Sequence, residues 1–171
     1  MPPGFVFRAA TPDDAELIAS AVRRGFEGYR QFAPAGWEPP NFEREVELVA
    51  ANLGDPQSWC TIAEVNGGAI AGHCMFSPAA TAFRSSDEPR LAHLRGLFVE
   101  PRWWGTGLAR ELHAMALHEA AARGWLNMRL FTPAGQQRAR RFYEREGWRQ
   151  IGVTFEIADG LPTVEYRRGL G

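Results

Sequence analysis

A short segment with arginine and glycine, residues 102–107, has the residue types and the spacing of an anion-binding loop. It follows an apolar, strand-like run from Leu91 to Val99 and precedes a helical repeat of Leu108, Leu112 and Met115. The first N–H groups of a helix have no partner within the helix and carry the positive end of its dipole. Because glycine lets a phosphate approach the backbone closely, the segment predicts a phosphate site between a strand and a helix.

Two common phosphate motifs do not fit this loop. The chain contains no lysine, since all of its 19 basic residues are arginine, and this excludes a Walker loop and Schiff-base lysine chemistry. A dinucleotide-binding loop needs a third glycine where this chain has Arg110. The pattern that remains is Arg102-x-x-Gly105-x-Gly107.

A second segment with functional potential, residues 136–148, contains a tyrosine in a helical repeat. At helical spacing Gln136, Ala139 and Tyr143 share one face, and Phe142 lies beside it. A phenol with a pKa of about 10 can protonate a leaving thiolate, whose free thiol has a pKa of about 8.5. Tyr143 is therefore a candidate general acid, and the alternative is a core tyrosine whose hydroxyl is bonded elsewhere.

A histidine on the strand-like run is a candidate general base. Free histidine has a pKa of about 6.5, which suits removal of a proton from an amine near neutral pH. Regular strand alternation would place His93, Arg95 and Leu97 on one face. Glu100 is an alternative carboxylate close to the loop, and a structural role for His93 is the other interpretation.

Periodicity and turn signals predict the elements that position these residues. Helices are expected at 11–25, 41–53, 105–123 and 136–146, and strands at 5–8, 59–65, 69–76, 91–99, 125–131, 148–157 and 163–168. Asn66-Gly67-Gly68 and Asp159-Gly160 predict hairpin turns. The order β-α-α-β-β-β-α-β-α-β-β predicts an α/β (α+β) fold, with one mixed, mostly antiparallel sheet flanked by helices and a parallel crossover around the third helix. Residues 1–171 are expected to form one domain.

Both segments resemble motifs of the GNAT N-acetyltransferase superfamily. Arg102-x-x-Gly105-x-Gly107 resembles its acetyl-CoA pyrophosphate loop, Gln/Arg-x-x-Gly-x-Gly/Ala, although Trp104 replaces a frequent arginine. Residues 136–148 resemble its last conserved box, Asn-x-x-Ala-x-x-Phe-Tyr-Glu-x-x-Gly-Phe, with Gln136 in place of Asn and Trp148 in place of Phe. The order of elements also matches the superfamily, so the resemblance covers essentially the whole chain.

The resemblance implies acetyl-CoA as cofactor and transfer of its acetyl group to a primary amine of a small molecule or a peptide. It implies that Tyr143 is the acid, and it aligns His93 with the carboxylate base of many relatives. The pantetheine arm is expected at the backbone of Leu97, Phe98 and Val99, beside Gln136 and Phe142. The pyrophosphate is expected at Arg102, Trp104, Gly105, Thr106, Gly107, Leu108 and Ala109. A CoA-binding module without turnover is the alternative.

The segment between the first two helices, residues 29–40, is rich in proline and aromatic residues and predicts a connection without regular structure. In the superfamily this connection usually forms part of the acceptor pocket. The resemblance therefore places Tyr29, Phe32 and Trp37 at the acceptor site. The alternative is that these aromatic residues only pack the loop onto the core.

Composition argues against other classes of function. A formal net charge of −1 and a pI near 6.4 give no general attraction to nucleic acid or membranes. Cys60 and Cys74 suit neither a zinc site nor a disulfide scaffold and are expected to be buried thiols. No signal peptide or membrane-length apolar run is visible, so the cytoplasm is the expected location. The resemblance also allows a homodimer. A helical cluster of arginines is expected to be mostly solvated: Arg138, Arg140, Arg141, Arg145 and Arg149.

Overall fold

The computed structural model describes residues 4–65, 67–157 and 160–171. Within them the helices are α1 Ala15–Glu27, α2 Phe42–Gly54, α3 Leu108–Ala122 and α4 Gln137–Arg145. The strands are β1 Val6–Ala9, β2 Trp59–Val65, β3 Ala69–Pro78, β4 Leu91–Val99, β5 Asn127–Pro133, β6 Arg149–Ile157 and β7 Leu161–Gly169. This order along the chain is the predicted one. The turn residues Asn66 and Asp159 lie outside the described residues.

The first two helices begin at the predicted signals. Pro12 opens a short 3-10 turn before α1, and the Asp14 carboxylate accepts the Thr11 backbone N–H at 2.8 Å. Asn41 is the N-cap of α2, and its side chain accepts the Arg44 backbone N–H at 3.0 Å. These caps satisfy helix N–H groups that would otherwise lack partners.

The strands form one seven-stranded sheet in the order β1-β2-β3-β4-β5-β7-β6. All neighbouring pairs are antiparallel except β4 and β5, which are joined by the crossover through α3. The predicted fold class is therefore confirmed, with a mixed and mostly antiparallel sheet between helices. None of the helices in the described part of the chain is long and apolar enough to cross a membrane.

The two faces of the sheet carry separate cores. On one face α3 and α4 bury Leu108, Leu112 and Tyr143 with strand residues of β3 to β5. On the other face α1 and α2 bury Ile18 and Val49 against β2 and β3. Residues at the centre of the sheet can therefore reach either of two helix layers.

A bulge at Arg95 changes the orientation of β4. Met75 of β3 lies opposite Gly96, but Phe76 lies opposite Leu94, so Arg95 has no counterpart on β3. Leu94 packs into the α3–α4 core before the bulge, and Leu97 packs against that same core after it. The expectation that His93, Arg95 and Leu97 share one face is therefore wrong, because it assumed regular alternation.

Candidate active site

The candidate site lies where β4 and β5 separate. These strands pair from Leu91–Asn127 to His93–Arg129, and no further pair joins them within the described residues. Both strands continue beyond this point, β4 to Val99 and β5 to Pro133. Their carboxyl ends therefore enclose a gap in the sheet, with α3 beginning beside it.

The loop after β4 presents unpartnered N–H groups at the start of α3. The Trp104 N–H is engaged by the Pro101 carbonyl at 3.1 Å, and the Thr106 N–H donates to the Trp103 carbonyl at 3.4 Å. The Leu108 N–H donates to the Thr106 hydroxyl at 3.4 Å. Among the described residues no hydrogen bond engages the N–H groups of Gly105, Gly107, Ala109 and Arg110.

Two glycines make this backbone path accessible. Gly105 and Gly107 have φ angles of +80° and +90°, a region that residues with a Cβ atom rarely adopt. A Cβ atom added at either glycine would meet no protein atom within 4 Å, so the space beside them is open to a ligand. The loop therefore offers a cradle for an anion, although three of the expected amides, those of Trp104, Thr106 and Leu108, do not belong to it because each already has an acceptor.

The side chain of Trp104 has a separate role in this loop. Its Nε1 donates to the Val99 carbonyl at 2.9 Å, so one of the backbone groups predicted for the pantetheine arm already has a partner. The Arg138 guanidinium of α4 lies 4.1 Å above the Trp104 ring. This stacking joins the loop before α3 to the segment that contains α4. Arg102 is exposed and lies 6.0 Å from the Trp103 ring.

Tyr143 is buried on α4 and its hydroxyl has no hydrogen-bond partner among the described residues. Burial raises the pKa of this phenol well above its ordinary value, and the proximity of Cys74 and Tyr29 raises it further. The neighbouring Tyr166 differs, because its hydroxyl donates to Glu144 at 2.8 Å and accepts from Arg140 at 3.1 Å. Tyr143 thus holds an available O–H donor close to the centre of the sheet.

The other members of the second segment lie around Tyr143. Phe142 and Ala139 pack against the same core, and the Phe142 ring lies 5.4 Å from that of Tyr143. Gln136 is the N-cap residue of α4 instead of a member of its helical face. Its side-chain amide makes no hydrogen bond within the described residues and remains available to a ligand.

His93 is placed as a buried, neutral hydrogen-bond acceptor. It is 6% exposed, and its Nδ1 accepts from Arg129 Nε at 3.2 Å. Burial lowers its pKa to about 3, and the charges of Arg129 and Arg95 act in the same direction. This geometry argues against His93 as a general base near neutral pH. The alternative carboxylate, Glu100, is engaged in an ion pair with Arg24 of α1.

The three aromatic residues of the α1–α2 connection lie together. The Tyr29 ring is 5.4 Å from Phe32 and 6.4 Å from Trp37, which is 4% exposed. Phe32 packs against Gly135. A Cβ atom added to Gly135 would lie 2.7 Å from both the Cβ and the Cγ of Phe32. The connection begins with a short 3-10 helix, Gly28–Gln31, which was not expected, and it therefore reaches Gly135, just after the carboxyl end of β5.

Sequence reasoning missed two arginines near the gap, Arg95 and Arg129. Arg95 is the bulge residue of β4, and Arg129 is 3% exposed on β5. The only available signal for Arg129 was an arginine within an otherwise apolar strand. Its partner His93 is distant along the chain, so the pair could not be identified from local pattern.

Comparison with known proteins agrees with this geometry. The model of the acetyltransferase (GNAT) family matches residues 14–148. The structure resembles an N-acetyltransferase from Staphylococcus aureus Mu50 (16% identity, 98% of this chain and 99% of that chain covered, TM-score 0.75). It also resembles YncA from Salmonella typhimurium, solved with its cofactor acetyl-CoA (18% identity, coverage 98% and 94%, TM-score 0.72).

A third similar structure is the ribosomal-protein-S18-alanine N-acetyltransferase from Escherichia coli (18% identity, coverage 98% and 94%, TM-score 0.67). No curated protein sequence matches the chain. Because the family model spans most of the chain, this protein belongs to the acetyltransferase (GNAT) family. It is accordingly an acyl-CoA-dependent N-acyltransferase whose cofactor is acetyl-CoA.

The residues present fit this cofactor. The unpartnered N–H groups at the start of α3 suit a diphosphate. The part of β4 beyond His93 has a free side toward β5, which suits an extended arm with amide groups. The Tyr143 hydroxyl and the Gln136 amide are polar groups without partners in the described structure, and both belong to α4 and its N-cap.

Proposed function

We propose that this enzyme acetylates a primary amine of a small molecule or a peptide by direct transfer. The observation that carries the proposal is the Tyr143 side chain, which is 8% exposed and whose hydroxyl has no hydrogen-bond partner among the described residues. This hydroxyl is not among the fully buried polar atoms that lack a partner, and its position in the segment that resembles the family's last motif supports a chemical role. Family membership supports the acyl donor, and the amine acceptor is our proposal.

Acetyl-CoA supplies an acetyl thioester, and the overall reaction forms a C–N bond, breaks the C–S bond and moves one proton from the amine to the sulfur. Tyr143 donates its proton to the departing sulfur, and the proton that the nitrogen loses after attack restores the phenol. The N–H groups of Gly105, Gly107, Ala109 and Arg110 bind the diphosphate and fix the position of the donor. Tyr29, Phe32 and Trp37 form one wall of the acceptor site.

We assign no base to the amine. His93 has a pKa of about 3, and Glu100 is paired with Arg24, so neither suits proton removal near neutral pH. The acceptor therefore reacts as its free amine, and the reactive fraction follows the acceptor's own pKa. The rate should rise with pH until that pKa is reached.

The direct test is release of free thiol from acetyl-CoA in the presence of a panel of amines, combined with a thermal shift on addition of CoA. We expect a CoA-dependent shift and amine-dependent thiol release, with the acetylated amine identified by mass spectrometry. A thermal shift with no turnover on any amine would favour the CoA-binding module and refute the proposed reaction.

Three further predictions from the sequence belong to this proposal. We expect residues 1–171 to act as one domain, the enzyme to work in the cytoplasm without nucleic acid or membrane, and a homodimer to be accessible to it. Light scattering coupled to gel filtration measures the mass in solution, and a value near the 19.0 kDa of one chain would refute the predicted homodimer.

A further inference from the structure

Two guanidinium groups without carboxylate partners lie beside the gap in the sheet. Arg129 is 3% exposed, and its hydrogen bonds go to neutral acceptors, His93 Nδ1 at 3.2 Å and the Phe83 carbonyl at 2.9 Å. Its Nη1 makes no hydrogen bond within the described residues. Arg95, at the bulge, makes none with its guanidinium in the same part of the chain. Both arginines are close enough to His93 to lower its pKa.

The nearest acidic groups do not neutralise this pair. Glu165 and Glu88 act on Arg129 only at a distance, since Arg167 holds them at 2.5 and 2.7 Å. Glu45 of α2 attracts Arg95 but forms no ion pair with it among the described contacts. Burial lowers the pKa of both arginines below the ordinary value, which shows that their charge is poorly compensated. A buried unpaired charge is costly unless a ligand completes it.

The pair lies on the acceptor side of the sheet. Met128 and Leu130 pack into the α3–α4 core, so strand alternation directs Arg129 to the opposite face. Phe131 shares that face, with its ring 5.0 Å from His93. Arg95 directly follows Leu94, which packs into the α3–α4 core, so alternation up to the bulge directs Arg95 to the same side, where Glu45 of α2 attracts it. The cofactor loop, by contrast, begins α3 on the other face.

Taking the proposed amine acetylation as its basis, we propose that the acceptor carries a carboxylate near its amine, and that Arg95 and Arg129 bind that carboxylate. A guanidinium group can bind both oxygens of a carboxylate through a pair of N–H donors. Hydrogen bonds between two charged groups are stronger than those between neutral groups. His93 accepts from Arg129 Nε and so fixes the orientation of that guanidinium. The substrate class is an amino acid or a peptide with a carboxylate close to its free amine.

The test uses free amino acids and their carboxamides as matched acceptors in the thiol-release assay with acetyl-CoA. We expect kcat/KM to be at least tenfold higher for the acid than for its amide. Arg95→Gln should abolish this preference by raising KM for the acid, and Arg95→Lys should restore part of it. Arg44→Gln, which removes an exposed arginine of α2, should keep the full preference.

A binding measurement separates this inference from the proposed reaction. N-acetylated amino acids and their amides are titrated calorimetrically into the protein saturated with CoA. Tighter binding of the acid, lost in Arg95→Gln but kept in Arg44→Gln, supports the carboxylate site even if no amine is turned over. Equal turnover or equal binding of acid and amide overturns the carboxylate site, and acetylation of amines in general would still stand. Melting temperatures of all variants verify that each one is folded.

Discussion

Replacement of Tyr143 by phenylalanine separates catalysis from stability. The hydroxyl has no hydrogen-bond partner among the described residues, so its removal breaks no protein contact while the aromatic ring stays in the core. The free energy of unfolding should change by less than about 1 kcal/mol, because no protein hydrogen bond is lost. General acid catalysis contributes about 10²- to 10⁴-fold in rate, so kcat should fall by that factor while KM for acetyl-CoA changes little.

Tyr166→Phe is the matched control for this experiment. The ring centres of Tyr143 and Tyr166 are 6.3 Å apart, but the Tyr166 hydroxyl is bonded to both Glu144 and Arg140. Its removal should therefore destabilise the protein by about 1–2 kcal/mol and leave kcat within a few-fold of the wild type. Urea unfolding and initial rates of thiol release measure the two quantities on the same samples.

The pH dependence of stability gives a second measure of Tyr143. Its raised pKa in the folded state means that the unfolded chain loses the phenolic proton first, at a pH of about 10. Stability should therefore fall as pH rises above that value, by up to about 1.4 kcal/mol per pH unit for this group. The slope should be smaller in Tyr143→Phe. A variant with wild-type kcat would refute the role of Tyr143 as the acid.

Three other changes test the rest of the site. Gly107→Ala forces a Cβ atom onto a φ angle of +90°, so we expect a stability loss of about 1 kcal/mol and a raised KM for acetyl-CoA, measured by urea unfolding and initial rates. His93→Ala should leave the pH–rate profile between pH 5 and 8 unchanged, since the pKa of His93 is about 3. The free energy of unfolding should fall by about 1–3 kcal/mol, because Arg129 loses its acceptor. A shifted acidic limb of the profile would contradict this expectation. Gly135→Ala pushes against Phe32, so KM for the amine should rise while KM for acetyl-CoA stays constant, and equal effects on both would remove the α1–α2 connection from the acceptor site.

The order of elements was predictable because each one has a local signal. The cap at Asn41 and the apolar run of β4 place α2 and the central strand at nearly their observed bounds. The loop before α3 was also found, since glycines with positive φ leave a recognisable pattern. The set of free amides was not predicted correctly, because the N–H groups of Trp104, Thr106 and Leu108 are engaged within the loop, whereas that of Arg110 is free among the described residues.

The chemistry of His93 could not be predicted from its surroundings in the sequence. Its protonation depends on Arg129, which pairs with it only because β4 and β5 run side by side. The Arg95 bulge was equally hidden, since it arises from the register between β3 and β4 and not from any residue preference. Sequence periodicity reports which side of an element is apolar, whereas these features depend on contacts between distant segments.

Because β4 contains one extra residue at position 95, the number of residues in this strand affects the function of the site. Deleting Arg95 would remove the bulge, since Leu94 and Gly96 would then pair in sequence with Phe76 and Met75, and Leu97 and Phe98 would keep their helix layers. The shortened strand could also continue its ladder along β5 and close the opening that the thioester requires. Natural variation in this stretch should therefore replace residues and leave their number unchanged.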